Sequence, residues 1–171
     1  LISIVYIITI GLLIYGFDTI KNTILYPILP KTTFSIIVPF RNEENDFLTL
    51  LNSISNLNYP KNLFEILVVN DDSDDGSVHI FNQWKSENSE INSRLLENVR
   101  TSNSPKKDAL VTAISTLKNE WIITTDADCI VPKDWLSTYD TCIQNNKAEM
   151  IIGAVSVLKS NGFLNHFQEK T

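Results

Sequence analysis

Trp121-Ile-Ile-Thr-Thr-Asp-Ala-Asp-Cys-Ile-Val-Pro132 is the stretch on which the fold turns. The run from Trp121 to Thr125 is apolar or β-branched and reads as a buried strand. It stops at two carboxylates one residue apart, Asp126 and Asp128. In an open parallel α/β sheet, ligands bind in the crevice outside the carboxyl ends of the strands. Two carboxylates there, with few basic neighbours in sequence, repel each other unless a cation sits between them. A small set of hard oxygen ligands suits Mg2+ or Mn2+, which keep several waters and complete their shell with substrate phosphates. The competing reading is a solvated turn before a helix, with aspartate as the turn former.

Upstream, the same pattern recurs. Phe34-Ser-Ile-Ile-Val-Pro-Phe40 reads as a first strand, followed by the polar loop Arg41-Asn-Glu-Glu-Asn45. Phe47, Leu50, Leu51 and Ile54 then fall at helical spacing, so the next helix is amphipathic and packs on a sheet. Phe64 to Val69 is a nearly all-apolar second strand, as a strand covered on both faces should be. It runs into Asn70-Asp-Asp-Ser-Asp-Asp-Gly-Ser77, where a helix cap at Ser77 or Asp75 accounts for part of the polarity. Four carboxylates in one loop still exceed what capping requires. Leu95, Leu96 and Val99 suggest a short third strand. Pro105-Lys-Lys107 opens another helix, and two lysines at a helix N-terminus suit a site where an anion is awaited. A solvated basic loop is the alternative there.

Downstream of the Trp121 strand, Lys133 to Gln144 reads as a helix with Trp135, Leu136, Tyr139 and Ile143 inward. Met150 to Val157 makes a further strand, and Gly162 to Thr171 starts a helix. Strands and helices alternate throughout. That alternation predicts a three-layer α/β domain with a mainly parallel sheet.

The N-terminal segment is different. Leu1 to Phe17 carries no charge, and as a helix it spans about 25 Å, just short of a hydrocarbon core of about 30 Å. Residues 1–20 are therefore read as a transmembrane helix, with Tyr15 and Phe17 at the interface. A signal peptide or a buried core helix are the alternatives; neither a basic start nor a small-residue cleavage site is present. Residues 21–33, with Pro27 and Pro30, form a juxtamembrane connector. Lys21 and Lys31 place the following domain, residues 34–171, in the cytoplasm by the positive-inside rule. A start at Leu1 rather than Met leads one to expect a fragment.

Composition narrows the function further. The 171 residues suffice for one domain, and a net charge of −6 with mixed charges argues against nucleic acid as a partner. Cys129 and Cys142, without Cys-x-x-Cys spacing, suggest neither a zinc site nor a disulfide framework. His79 and His166 lie far apart and read as ordinary residues.

Four motifs in order, Ile-Val-Pro-Phe-Arg-Asn-Glu-Glu, Val-Val-Asn-Asp-Asp-Ser-Asp-Asp-Gly-Ser, Lys-Lys-Asp-Ala-Leu and Thr-Asp-Ala-Asp, together resemble glycosyltransferase family 2 from about Phe34 to Thr171. The resemblance implies the GT-A fold, a Rossmann-like nucleotide-sugar domain. It implies an inverting transferase using a UDP-, GDP- or dTDP-sugar, with Mg2+ or Mn2+ as cofactor and a saccharide or lipid acceptor at a membrane. By motif, Pro39, Arg41 and Glu43 would line the nucleoside pocket. Asp72 would accept a hydrogen bond from the base, with Asp71 beside it. Lys106 would approach the diphosphate, with Lys107 as the alternate because Pro105 replaces the family's glycine. Asp126 and Asp128 would contact ribose and metal. The family's later acidic motif, which supplies the general base, is expected beyond Thr171, so no catalytic residue is named. Two rival readings remain: a nucleotidyltransferase, which should carry a glycine-rich first loop, and a non-catalytic membrane-tethered nucleotide-sugar-binding protein. A phosphoacceptor receiver domain also gathers aspartates at strand ends, but the N-terminal helix fits it poorly.

Overall fold

The structure is a computed structural model that describes residues 2–18, 28–117, 119–146, 149–153 and 155. Four strands form its sheet: β1 (Phe34–Phe40), β2 (Phe64–Asn70), β3 (Ser93–Glu97) and β4 (Trp121–Thr124), in the order β3-β2-β1-β4. All three pairings are parallel. The two mostly apolar strands, β1 and β2, occupy the centre, where both faces are covered.

Alternation along the central strands divides the core. Phe34, Ile36, Val38 and Phe40 of β1, with Phe64, Ile66 and Val68 of β2, lie in one cluster with residues of α2 (Phe47–Ser55), α3 (Ser77–Glu87) and α5 (Trp135–Asn145). Ile37, Leu67 and Val69 lie in a second cluster with Ala109 and Ala113 of α4 (Pro105–Ile114). The result is three layers, as the alternation predicted. Helix α2 shows how the sequence enforces this: Phe47, Leu50, Leu51 and Ile54 are all fully buried, each stabilising by about 1.5–3 kcal/mol.

The chain order places the site. From β1 the strands step to β2 and β3 on one side; the chain then crosses back and lays β4 on the other edge of β1. The loops after β1 and β4 therefore diverge at the topological switch point, where an open α/β sheet has its crevice.

Three details depart from the sequence reading. Among the described residues the Trp121 run is an edge strand rather than a buried one, because there β1 alone pairs with it, and Ile122 is 39% exposed. The third strand is centred earlier than Val99, which is exposed and outside it. Met150 to Gly153 and Val155 form no strand, and Met150 and Ile152 are exposed. An apolar run becomes a strand only where a neighbour completes its hydrogen bonds, and Met150 to Gly153 find none among the described residues. Lys21, Pro27, the end of that predicted strand, His166 and the predicted helix Gly162 to Thr171 lie outside the described residues.

Helix α1 (Ile2–Asp18) forms where the uncharged segment was read, and its side chains from Ser3 to Tyr15 are exposed. Among the described residues, no helix is long and apolar enough to cross a membrane. Lys31 and Thr32, just before β1, are tied to the domain by Asp140 on α5, which is 1% exposed. Its carboxylate accepts the Lys31 and Thr32 backbone N–H groups at 2.9 and 3.2 Å, the Thr32 hydroxyl at 2.5 Å and the Gln144 amide at 2.8 Å. Burial acts to raise its pKa, but these bonds outweigh burial and hold the carboxyl below its ordinary value of 3.8. The neighbouring Tyr59 phenol is pushed far above its usual range by burial and by the Asp140 charge.

Candidate functional site

At the end of β4, Ala127 is 3% exposed and belongs to the core cluster of the α2 face, while Asp126 and Asp128 on either side of it are exposed. One small buried residue thus presents two carboxylates outward. The turn is closed by the Cys129 N–H donating to the Asp126 carbonyl at 3.3 Å. It is pinned to α2 by the Val131 N–H donating to Ser53 Oγ at 3.1 Å.

Two other elements reach this spot. Lys106, in the first turn of α4, donates from Nζ to Asp126 Oδ1 at 2.5 Å, whereas Lys107 is simply exposed. Of the two lysines, the fold brings Lys106 to the aspartates. From the β1 loop, Glu43 is anchored by its N–H donating to Ser77 Oγ at 2.9 Å. Its pKa is raised, first by burial and then by the charges of Asp128, Asp46, Asp75 and Asp126. Glu43, Asp126 and Asp128 therefore share one acidic field at the switch point.

The donor set can be tested against a cation. Among the described residues, no group of three or more His, Cys, Asp or Glu side chains forms a metal cage. Two exposed aspartates supply oxygen ligands only, which fits a cation that retains waters and takes substrate phosphates rather than one held wholly by protein.

The β2 loop is built differently. Asp71 is 8% exposed. Its carboxylate is gripped by Arg100, through Nε to Oδ1 at 2.8 Å and Nη2 to Oδ2 at 2.7 Å, and by Asn98 Nδ2 to Oδ1 at 2.6 Å. The Arg100 hydrogen bonds hold its pKa below the ordinary range; burial opposes them, and Asn98 and the nearby Arg41 charge add to the lowering. Asp72 is exposed and adopts a φ of 62°, the left-handed region that aspartate tolerates better than most residues. An open hollow of about 300 Å3 is lined by Asn70, Asp71, Asp72, Glu97, Asn98 and Arg100.

The remaining carboxylates of this loop have structural work. Asp74 Oδ1 accepts from Asn42 Nδ2 at 2.7 Å, and its N–H donates to Asn42 Oδ1 at 2.9 Å. Asp75 accepts the Glu44 N–H at 3.0 Å and, at the start of α3, the Ser77 N–H at 3.0 Å, with Gly76 in the cap position. Glu44 Oε2 in turn accepts the Gly76 N–H at 2.9 Å. These bonds zip the β1 loop to the β2 loop, with Asn42 held at a φ of 56°. The surplus of acidic residues over capping is thus largely explained by loop-to-loop bonding.

Each sequence-predicted residue can now be placed. Glu43, Lys106, Asp126 and Asp128 come together at the switch point. Asp71 and Asp72 line the neighbouring hollow. Pro39 lies partly buried near the end of β1, and Arg41 is exposed beside Asp71's field. The sequence reading missed Arg100 and Asn98. Their one signal was position, at the start of the loop after β3, and the polar composition of that loop hid it.

The family described as Glycosyl transferase family 2 matches residues 35–170. The chain belongs to glycosyltransferase family 2. As a family 2 chain it is 30% identical over 137 residues to the poly(ribitol-phosphate) beta-glucosyltransferase of Bacillus spizizenii, covering 75% of this chain and 20% of that protein. The structure of TarS from Staphylococcus aureus in complex with UDP-GlcNAc matches with a TM-score of 0.60 at 28% identity, covering 68% of this chain and 32% of that one. The mannosyltransferase PcManGT from Pyrobaculum calidifontis, in complex with GDP-Man and Mn2+, matches with a TM-score of 0.67 at 27% identity, covering 86% and 43%. This family 2 chain spans 20% of the length of the first curated relatives it matches. Its parallel four-stranded α/β domain is that of these glycosyltransferase structures.

Proposed function

We propose that this domain binds a nucleoside-diphosphate sugar across the β1–β4 switch point and serves an inverting glycosyl transfer. The observation that carries the reading is the convergence of Asp126, Asp128, Glu43 and Lys106 from three separate loops beside the hollow at Asp71. In this reading the hollow takes the base. There the carboxylate of Asp72, or that of Asp71 within its Arg100 clamp, is an acceptor for a base edge carrying an N–H group, as uracil and guanine do. Asp126 lies toward ribose, and with Asp128 it would hold Mg2+ or Mn2+, which would neutralise charge on the departing diphosphate. Binding of Mn2+ with GDP-Man by the similar mannosyltransferase supports this choice.

The residues of the chain would supply the rest. Lys106 is already a donor at the aspartates and would turn to the diphosphate oxygens, adding to the electrostatic stabilisation that is usually the largest catalytic contribution. An acceptor hydroxyl would attack the anomeric carbon from the face opposite the diphosphate and give its proton to a general base, as the bond to the diphosphate breaks and the nucleoside diphosphate leaves. Saccharide and lipid hydroxyls are the acceptors proposed. The exposed α1, apolar on every side between Ser3 and Tyr15 except at Ser3 and Thr9, supports work at a membrane, because a helix apolar all round needs either a protein core or lipid around it. A cytoplasmic domain is the orientation proposed, with Lys31 beside the membrane face.

Calorimetry of the full chain with UDP and with GDP, with and without Mn2+, tests the site. Mn2+-dependent binding of at least one of them is expected. No binding of either, with or without metal, would overturn the reading. Flotation of the chain with liposomes, lost on deletion of residues 1–20, tests the membrane part.

A further inference from the structure

The loop from Arg100 to Ser104 carries a base-hollow residue at one end and leads into Lys106 at the other. Asp108, in the first turn of α4, is 3% exposed and touches neither the hollow nor the aspartates of β4. Every bond its carboxylate makes runs back to that loop. Oδ2 accepts the backbone N–H groups of Thr101 at 3.0 Å and Ser102 at 2.8 Å, and Oδ1 accepts their hydroxyls at 3.1 and 2.9 Å.

This is more than helix capping. A capping acid near a helix start satisfies the N–H groups at the cap itself. Asp108 passes over the cap residue, Ser104, and grips two residues upstream of it. Thr101 directly follows Arg100, whose guanidinium holds Asp71. Asn98 makes a second strut, donating both to Asp71 Oδ1 at 2.6 Å and to the Pro105 carbonyl at 3.1 Å. The base hollow and the first turn of α4 are thereby fastened together.

We infer that Asp108 is a positioning residue that locks Arg100 and Lys106 into one rigid unit, so that base recognition and diphosphate contact are set together. The inference rests on the nucleotide-sugar reading above. An asparagine can replace it in kind: its oxygen accepts from the two N–H groups and its amide donates to the two hydroxyls. Alanine cannot.

The test compares the full chain with Asp108→Ala and Asp108→Asn. Hydrogen exchange of residues 98–104 should quicken in Asp108→Ala and return to the original rate in Asp108→Asn. In Asp108→Ala, Mn2+-dependent affinity should fall about tenfold or more for UDP or GDP and also for inorganic pyrophosphate, the scale seen when an orienting partner is removed. Asp108→Asn should recover both. If Asp108→Ala fails to fold, the pair Thr101→Val with Ser102→Ala removes the hydroxyl half of the lock and should show the same joint loss, smaller in size. Unchanged exchange in Asp108→Ala, or a loss for the nucleotide alone, or no recovery with asparagine, would overturn the inference. An unaltered chain that binds neither UDP nor GDP would instead sink the nucleotide reading, and that result comes from the unaltered chain alone.

Discussion

The two acidic loops at the carboxyl edge of the sheet look alike in sequence and are built for opposite ends. In the β2 loop, Asp71 and Asp75 each accept two or more internal hydrogen bonds, from Arg100, Asn98 and backbone N–H groups, and Asp74 accepts one from Asn42. In the β4 loop, Asp128 stays exposed, and Asp126 has one exposed lysine as its partner. A carboxylate that accepts several internal hydrogen bonds shapes the protein. One left open to solvent beside another is available to a cation. The difference teaches that an acidic cluster is assigned by its donors, not by its count.

Asp128→Ala should break the comparison most severely. On the proposed reading Asp128 is a cation ligand, so its loss should drop nucleotide affinity with Mn2+ to the metal-free level. The fold should change by no more than about 0.5 kcal/mol, as for other exposed positions. Calorimetry paired with thermal melting checks both halves; unchanged metal-dependent affinity would remove Asp128 from the site.

The filled loop is sharpened next by Asp71→Ala against Asp72→Gly. Asp71→Ala should weaken nucleoside-diphosphate binding roughly tenfold to hundredfold, because Arg100 and Asn98 lose the carboxylate that sets them at the hollow. Pyrophosphate binding should survive it. Glycine at Asp72 suits the φ of 62° and should leave the fold intact, so any loss of nucleotide affinity there measures that carboxylate alone. A nucleotide loss confined to Asp72→Gly would give the base to Asp72.

A smaller effect is expected at the zipper between the β1 and β2 loops. Asn42→Ala removes two hydrogen bonds and leaves a poorly suited residue at a φ of 56°, with an expected cost of about 1–2 kcal/mol. Asn42→Gly loses the same bonds but suits the backbone, so it should be the milder variant. Urea titration of the pair resolves backbone strain from bonding.

Acid should produce the most gradual change. Asp71, Asp108 and Asp140 all have folded-state pKa values below the ordinary 3.8. Their contribution is therefore fully present above 3.8 and is lost as pH falls through the lower folded values. The melting temperature should hold steady above that point and decline below it. Asp140→Asn should flatten the decline. A fall that begins at neutral pH would point to other groups.

Several features are legible in the residues alone. The mostly apolar runs at Phe34 to Phe40 and Phe64 to Val69 mark buried parallel strands, and the spacing of Phe47, Leu50, Leu51 and Ile54 marks α2. The edge character of β4 is not legible, because an apolar run cannot announce how many neighbours it will have. Nor is the fate of Met150 to Gly153, for the same reason.

The sequence by itself determined the alternation of strands and helices, and with it the gathering of acidic loops along one edge of a parallel sheet. Hydrophobic periodicity is a local property, and chain connectivity does the rest. Only the tertiary structure decided which carboxylates stay open, which lysine reaches them and which arginine closes on Asp71. Arg100 is separated from Asp71 by 29 positions, and Lys106 from Asp126 by 20. Such pairings depend on how loops from different strands meet at the switch point, and no local pattern encodes that meeting.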